Sequence, residues 1–321
     1  MKATASAPAK LILFGEHFVV YGEPAIACAI DLRVKVKAEE RDDGLIYVES
    51  SDFDAKCIFP QHNNGIESEA YRILKPIYIA AEKTLEALDV ETGLKIEIDS
   101  QIPVAAGLGS SAAVAAATVK AVSTLLGETL PLKDICLIAT EAERTVHSNP
   151  SGIDPTISTY GGVIIYSKKR GIERLKVGCG LNIIVCDTGI KRSTGDQVNL
   201  VGEIAREYPK VFDSMLKAAR EIVLTASREI ELGNLTSLGK LMNLNHGLLS
   251  AIGVSCLELD ELVHTARKAG ALGAKLTGAG GGGCMIALST PEKLEAIAEA
   301  LRSIGGKIYT TEITYEGVRV E

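Results

Sequence analysis

Pro103-Val104-Ala105-Ala106-Gly107-Leu108-Gly109-Ser110-Ser111-Ala112-Ala113 is a glycine-paced loop that runs directly into an alanine-rich apolar segment. It reads as a strand-to-helix turn, and the free N–H groups of the first helical turn then point back at the loop and form an anion site. Gly107 and Gly109 let the backbone approach a phosphate closely. Ser110 and Ser111 stand where an N-cap hydroxyl is expected, and either would also suit a hard cation. An ordinary capped helix start explains the same residues, so both readings remain open at this point. No Gly-Lys-Ser or Gly-Lys-Thr occurs in the chain, which excludes a Walker-type nucleotide loop.

Upstream of the loop, Gly93 to Ser100 alternates as a strand, with Leu94, Ile96 and Ile98 on one face. A helix is expected from Ser68 to Leu88, interrupted at Pro76, and a strand pair between 44 and 60. The chain opens with a strand over Lys10 to Phe14, ending at Gly15-Glu16-His17, followed by strands over Ala25–Ile30 and Leu32–Ala38. Lys10 opens an apolar strand, a position that a sheet edge tolerates and a core does not. Glu16-His17 beside glycine fits either a polar turn or a functional pair.

Downstream, the helix after the loop ends near Gly127, and Leu132 to His147 forms the next, placing Glu143 and His147 on one face four residues apart. Asn149-Pro150-Ser151-Gly152 breaks it and Ile153-Asp154-Pro155-Thr156 restarts a short helix. Asp154 before proline is explained by an N-cap and first-turn proline as well as by a catalytic carboxylate. Gly161 to Tyr166 is a strand, and Ser167 to Gly180, with its basic turn and glycines, is the expected domain boundary. A strand over Leu181–Asp187 is followed by helices near 196–207, 209–232, 234–247 and 255–269. The segment Lys275 to Cys284 satisfies Gly-x-Gly-x-x-Gly, but strand residues Met285 to Leu288 follow where a dinucleotide site requires a helix, so that reading is rejected. A helix over 291–303 and a terminal strand from Lys307 to Val320 complete the chain.

With 321 residues and 46% hydrophobic content the chain can build two domains with a substantial core. A net charge of -7 argues against a grip on nucleic acid, which is built from excess Lys and Arg. Seven Cys, without a Cys-x-x-Cys pair and mostly in apolar surroundings, read as reduced thiols of a cytoplasmic protein. No long apolar leader follows Met1, and the most apolar stretch, Ala112 to Leu126, is too short and too interrupted to span a bilayer; no membrane association is expected.

Taken together, Ala7-Pro8-Ala9-Lys10-Leu11-Ile12-Leu13-Phe14-Gly15-Glu16-His17, the loop at 103 to 113 and the glycine-rich segment at 275 to 284 resemble, in that order, the motifs of the GHMP kinase superfamily. The likeness covers essentially the whole chain. Glu143-Arg144-Thr145-Val146-His147-Ser148-Asn149-Pro150-Ser151-Gly152-Ile153-Asp154 is similar to the mevalonate kinase branch. Galactokinases usually carry Arg at the position of Lys10 and Thr-Asp where this chain has Phe18-Val19.

The resemblance implies an α+β, two-domain fold: a ribosomal protein S5 domain 2-like N-terminal domain over 1–174 and a ferredoxin-like C-terminal domain over 175–321, with the active site between them. It implies ATP-dependent phosphorylation of the 5-hydroxyl of mevalonate, with Mg²⁺. Carried over, Pro103, Val104, Ala105, Ala106, Gly107, Leu108, Gly109, Ser110, Ser111, Ala112 and Ala113 would hold ATP. Ser111 and Glu143 would ligate the metal, and Asp154 would accept the hydroxyl proton beside Lys10. Glu16, His17 and Thr194 would place mevalonate, and Arg192 is the expected partner of its carboxylate. The late glycines, Gly278 to Gly282, would support the site. A relative acting on phosphomevalonate or on the 3-hydroxyl of mevalonate is the alternative, with a non-catalytic sensor of the same fold behind it. The resemblance also admits a homodimer.

Overall fold

The computed structural model describes residues 1–60, 68–103, 107–144, 152–169, 171–191 and 193–321. The first sheet is built from β1 (Lys2–Phe14), β2 (Ala25–Arg41), β3 (Ile46–Ser50), β4 (Ala55–Phe59) and β5 (Gly93–Ser100). The order β1-β2-β5-β3-β4 is antiparallel except where β3 runs parallel to β5. Helices α1 (Glu69–Leu88), α2 (Ser110–Leu125), α3 (Leu132–Glu143) and α4 (Ile153–Tyr160) follow, and α2 packs on β1 and β2 with the other three around it. Its alanines 112, 113, 115, 116, 117 and 121 are all buried, and side chains that small allow the helix to lie close against the strands.

Two strand readings change for physical reasons. β1 begins at Lys2, because Ala5, Ala7 and Ala9 point into the core; alanine has little strand propensity, and the pairing Ala5↔Val36 and Ala7↔Val34 supplies what propensity does not. β2 is one strand: Pro8 pairs with Arg33 and Ala9 with Ile30, so Asp31 and Leu32 form a bulge where the sequence suggested a break. Helix α1 likewise runs through Pro76. The missing amide and ring clash cost about 3 kcal/mol, and burial of Leu74, Ile77, Ala80, Ala81 and Leu85 on the same helix offsets it.

β6 (Val163–Ser167) pairs with the first residues of β2, and β7 (Gly171–Leu175) pairs with β6. The second sheet begins at β8 (Asn182–Asp187), followed by α5 (Thr194–Glu207), α6 (Pro209–Leu232), α7 (Leu235–Ala251), α8 (Leu257–Lys268), β9 (Gly273–Leu276), β10 (Cys284–Ser289), α9 (Leu294–Ser303) and β11 (Lys307–Glu312). Its order is β11-β8-β10-β9, antiparallel throughout. The expected terminal strand is divided: after β11 the chain leaves this sheet, and β12 (Arg319–Val320) returns to pair with β1. Arg33 secures the return by donating to the carbonyls of Gly317 at 2.6 Å and Glu316 at 3.2 Å.

One face of the second sheet, with Ile183, Val185, Cys284, Ile286 and Leu288, joins α6, α7 and the first sheet in a continuous core. The other, with Ile184, Cys186, Met285 and Ala287, packs on α8 and α9. The period of two puts apolar residues on both faces, so β8 and β10 read as unbroken hydrophobic runs. Among the described residues no helix is long and apolar enough to cross a membrane.

Candidate active site

Lys10 on β1, the loop Gly107 to Ser111, Glu143 at the end of α3, Asp154 at the start of α4, Thr194 at the start of α5 and Gly278-Ala279 after β9 line one cavity of about 480 Å³. Both sheets' surroundings contribute, so the cavity exists only when the two halves are packed together. A larger space of about 990 Å³ between α1 and the strand ends at Arg41, Ile46, Phe59 and Gly93 is rimmed by Asp42, Glu82, Glu86, Asp89 and Glu91 against one cation, Arg41, among its lining residues, a field that repels a triphosphate.

Lys10 Nζ lies 3.0 Å from Asp154 Oδ1, with 8% and 27% of the two side chains exposed. The Lys10 amide donates to the Leu108 carbonyl at 2.8 Å, tying β1 to the loop. Gly109 has φ 72°, and a Cβ there would sit 3.1 Å from Lys10 Cβ and 3.5 Å from Asp154 Oδ2. Glycine is therefore what lets the loop close over the Lys10–Asp154 pair.

Two capping expectations are corrected. The cap of α2 is Gly109, in the left-handed conformation, and Ser110 and Ser111 lie inside the first turn; no side chain caps this helix, so neither hydroxyl is consumed as a cap. The cap of α4 is Gly152, which places Asp154 at the second helical position and Pro155 at the third. Asp154 is thus not needed as a cap, and its carboxylate turns to Lys10 instead.

Glu143 is 7% exposed, and its Oε2 is buried with no hydrogen-bond partner. Burial, and then the charge of Asp154, push its carboxyl up to about 7, while Lys10 pulls the other way. A buried carboxylate in that condition fits a cation. Among the described residues no cluster of three His, Cys, Asp or Glu could hold a metal. A cation held at Glu143 and Ser111, which line the same cavity, would complete its shell with substrate oxygens, as small hard cations do.

Glu16 and His17 do not line this cavity. Glu16 accepts from Lys275 Nζ and, at 3.2 Å, from Asn245 Nδ2, all three side chains being buried. His17 Nε2 is 2.8 Å from the carbonyl of Ala279, a residue of the cavity wall. Thr194 does line the cavity, set there by Ser193, whose hydroxyl caps α5 by accepting from the Asp196 amide at 3.3 Å. Pro103 and Ala112 lie on the cavity wall and Ala113 is in the core. Val104, Ala105, Ala106, His147 and Arg192 lie outside the described residues.

The glycine-rich turn is secured from the back: the Gly281 amide donates to Val254 O at 2.8 Å and the Gly283 amide to Ile190 O at 3.2 Å. Phe53, Ile73, Pro76, Ile77 and Val114 form an apolar side of the cavity that sequence reading did not single out. On α1 and α2 they are indistinguishable from core positions, and Phe53 stands in a turn without a motif.

A closed glycine loop on a helix start, a Lys–Asp pair beneath it and a buried carboxylate with one unpartnered oxygen alongside are groups of the kind that phosphoryl transfer uses. Residues 74–162 match the GHMP kinases N-terminal domain and residues 215–307 the GHMP kinases C-terminal domain. The chain belongs to the GHMP kinase family and has its two-domain fold. Mevalonate kinase of Thermococcus sibiricus is 44% identical over 100% of this chain and 99% of its own, and that of Pyrococcus horikoshii 46% identical over 99% and 97%. The structure of L. major mevalonate kinase in complex with R-mevalonate superimposes with a TM-score of 0.84 at 31% identity, covering 97% of this chain and 96% of that one.

Proposed function

We propose that the protein transfers the γ-phosphoryl group of ATP to the 5-hydroxyl of (R)-mevalonate, giving 5-phosphomevalonate and ADP. The observation that carries the chemistry is the Lys10–Asp154 pair at 3.0 Å beneath the Gly107–Ser111 loop. The full-length relatives named mevalonate kinase support the substrate.

The loop amides and the start of α2 cradle the phosphates, and the apolar side formed by Phe53, Ile73, Pro76 and Ile77 takes the adenine. The alcohol oxygen attacks the γ-phosphorus, the bond to the bridging oxygen of ADP breaks, and the hydroxyl proton passes to Asp154. Lys10 offsets the charge that develops on the alcohol oxygen. Glu143 and Ser111 would hold Mg²⁺, which when bound would neutralise charge on the phosphate oxygens. Thr194, Gly278 and Ala279 form the wall from the second half of the chain. Among the described lining residues Lys10 is the one cation, which favours an unphosphorylated alcohol over phosphomevalonate.

The test is ADP release with Mg-ATP and mevalonate, beside phosphomevalonate and other small alcohols, in the parent and in Asp154→Asn. Turnover of mevalonate that falls by about a thousandfold or more in the variant is expected. Mevalonate left untouched while phosphomevalonate or a sugar turns over would overturn the substrate; an Asp154→Asn enzyme of undiminished kcat would overturn the site.

A further inference from the structure

The reaction as described uses neither Lys275 nor the carboxylate of Glu16, yet they form a fully buried ion pair between the two halves of the molecule, with side chains 0% and 1% exposed. Lys275 Nζ also donates to Leu276 O at 2.7 Å, and the second oxygen of Glu16 is held by Asn245 of α7. Burial lowers the pKa of the Lys275 ammonium, opposed by the charge of Glu16. A pair this deep gains little net stability over apolar residues of the same size. What it does supply is direction, because both members are charged and each has a second fixed partner.

The pair is one end of a seam between β1 with its following turn and β9 with its glycine turn. Thr277 Oγ1 donates to Ile12 O at 2.9 Å, and His17 Nε2 meets Ala279 O at 2.8 Å. His17, next to Glu16, holds φ 60° and ψ -49°, a positive-φ backbone that a non-glycine residue adopts only when its surroundings enforce it. The seam therefore runs from Lys275–Glu16 through Thr277 to Ala279. There it ends on the cavity wall, two positions along β1 from Ile12 to Lys10.

We propose that Lys275 is a positioning residue for the reaction: through Glu16 it sets the Gly278–Ala279 wall and His17 in register with Lys10 and Asp154, and so places the acceptor alcohol. The inference rests on the proposed function. The phosphate loop opens α2 and meets the seam strand through the Lys10 amide and Leu108 carbonyl, away from the Lys275, Thr277 and Ala279 contacts, so disturbing those contacts acts on the acceptor side of the cavity first.

Lys275→Met alone strands a buried carboxylate and loses stability. Glu16→Gln/Lys275→Met removes both charges and keeps the volume, and its melting temperature is expected within a few degrees of the parent, about 3 °C. With Mg-ATP saturating, its KM for mevalonate rises by about tenfold or more, while KM for ATP stays within about twofold. Thr277→Val cuts the same seam without touching the ion pair and shifts KM for mevalonate in the same direction. A folded double variant, or a folded Thr277→Val enzyme, with the parent KM for mevalonate overturns the proposal, as does an equal rise in both KM values. A parent enzyme inert to mevalonate overturns the substrate reading and this inference with it; a working parent beside unaffected variants overturns the positioning role alone.

Discussion

Glu143→Gln should make the nucleotide-free protein more stable at alkaline pH while destroying its activity. The Glu143 carboxyl titrates near 7 in the fold against an ordinary value of 4.5, chiefly because it is buried and secondly because Asp154 is close. The folded state thus binds this proton more tightly than the unfolded chain does. Stability from the protonated group is fully present below about pH 4.5, falls between there and about 7, and is gone above that. At about 1.4 kcal/mol per unit, the interval corresponds to about 3 kcal/mol. Glutamine mimics the protonated acid at every pH. Urea unfolding without divalent cation or nucleotide should find the variant within about 1 kcal/mol of the parent at pH 5 and about 3 kcal/mol more stable at pH 8.5. Adding Mg-nucleotide should reverse the order, since only the parent has a charged ligand for the cation, and kcat of the variant should drop by about a hundredfold or more. A stability difference that does not change with pH would refute the reasoning.

Lys10→Met should fold, because the aliphatic stem is kept at a buried strand position, and should lose about two to three orders of magnitude in kcat with KM for ATP little changed; a loss below about threefold would remove Lys10 from the chemistry. Gly280→Ala should be destabilised by about 3 kcal/mol or more in urea unfolding, since a Cβ there would lie 1.9 Å from Val254 O at a φ of +75°; stability within about 1 kcal/mol of the parent would show that the turn can yield.

Much of the molecule is legible in the residues themselves. The alternation from Gly93 to Ser100 is strand β5 to the residue, and the glycines before Ser110 do open a helix. Met285 to Leu288 follow the late glycines as a strand, so the exclusion of a dinucleotide site stands. These are local signals, carried by side-chain period and by backbone freedom.

What local signals could not carry was decided by partners distant in sequence. The alanines of β1 became strand because β2 lay beside them, and Pro76 stayed in a helix because its neighbours were buried. Asp154 is released from capping by Gly152 and meets Lys10 across 144 positions of chain, a contact that only the packing of α4 against β1 creates. Glu16 fits in sequence either a polar turn or a functional pair with His17 and is, in the fold, half of a buried pair with Lys275. The sequence by itself determined which residue types are present for phosphoryl transfer and where the chain bends. Only the tertiary structure decided which charges face the cavity and which are buried behind it, because burial and charge pairing are properties of the assembled halves and of no single stretch.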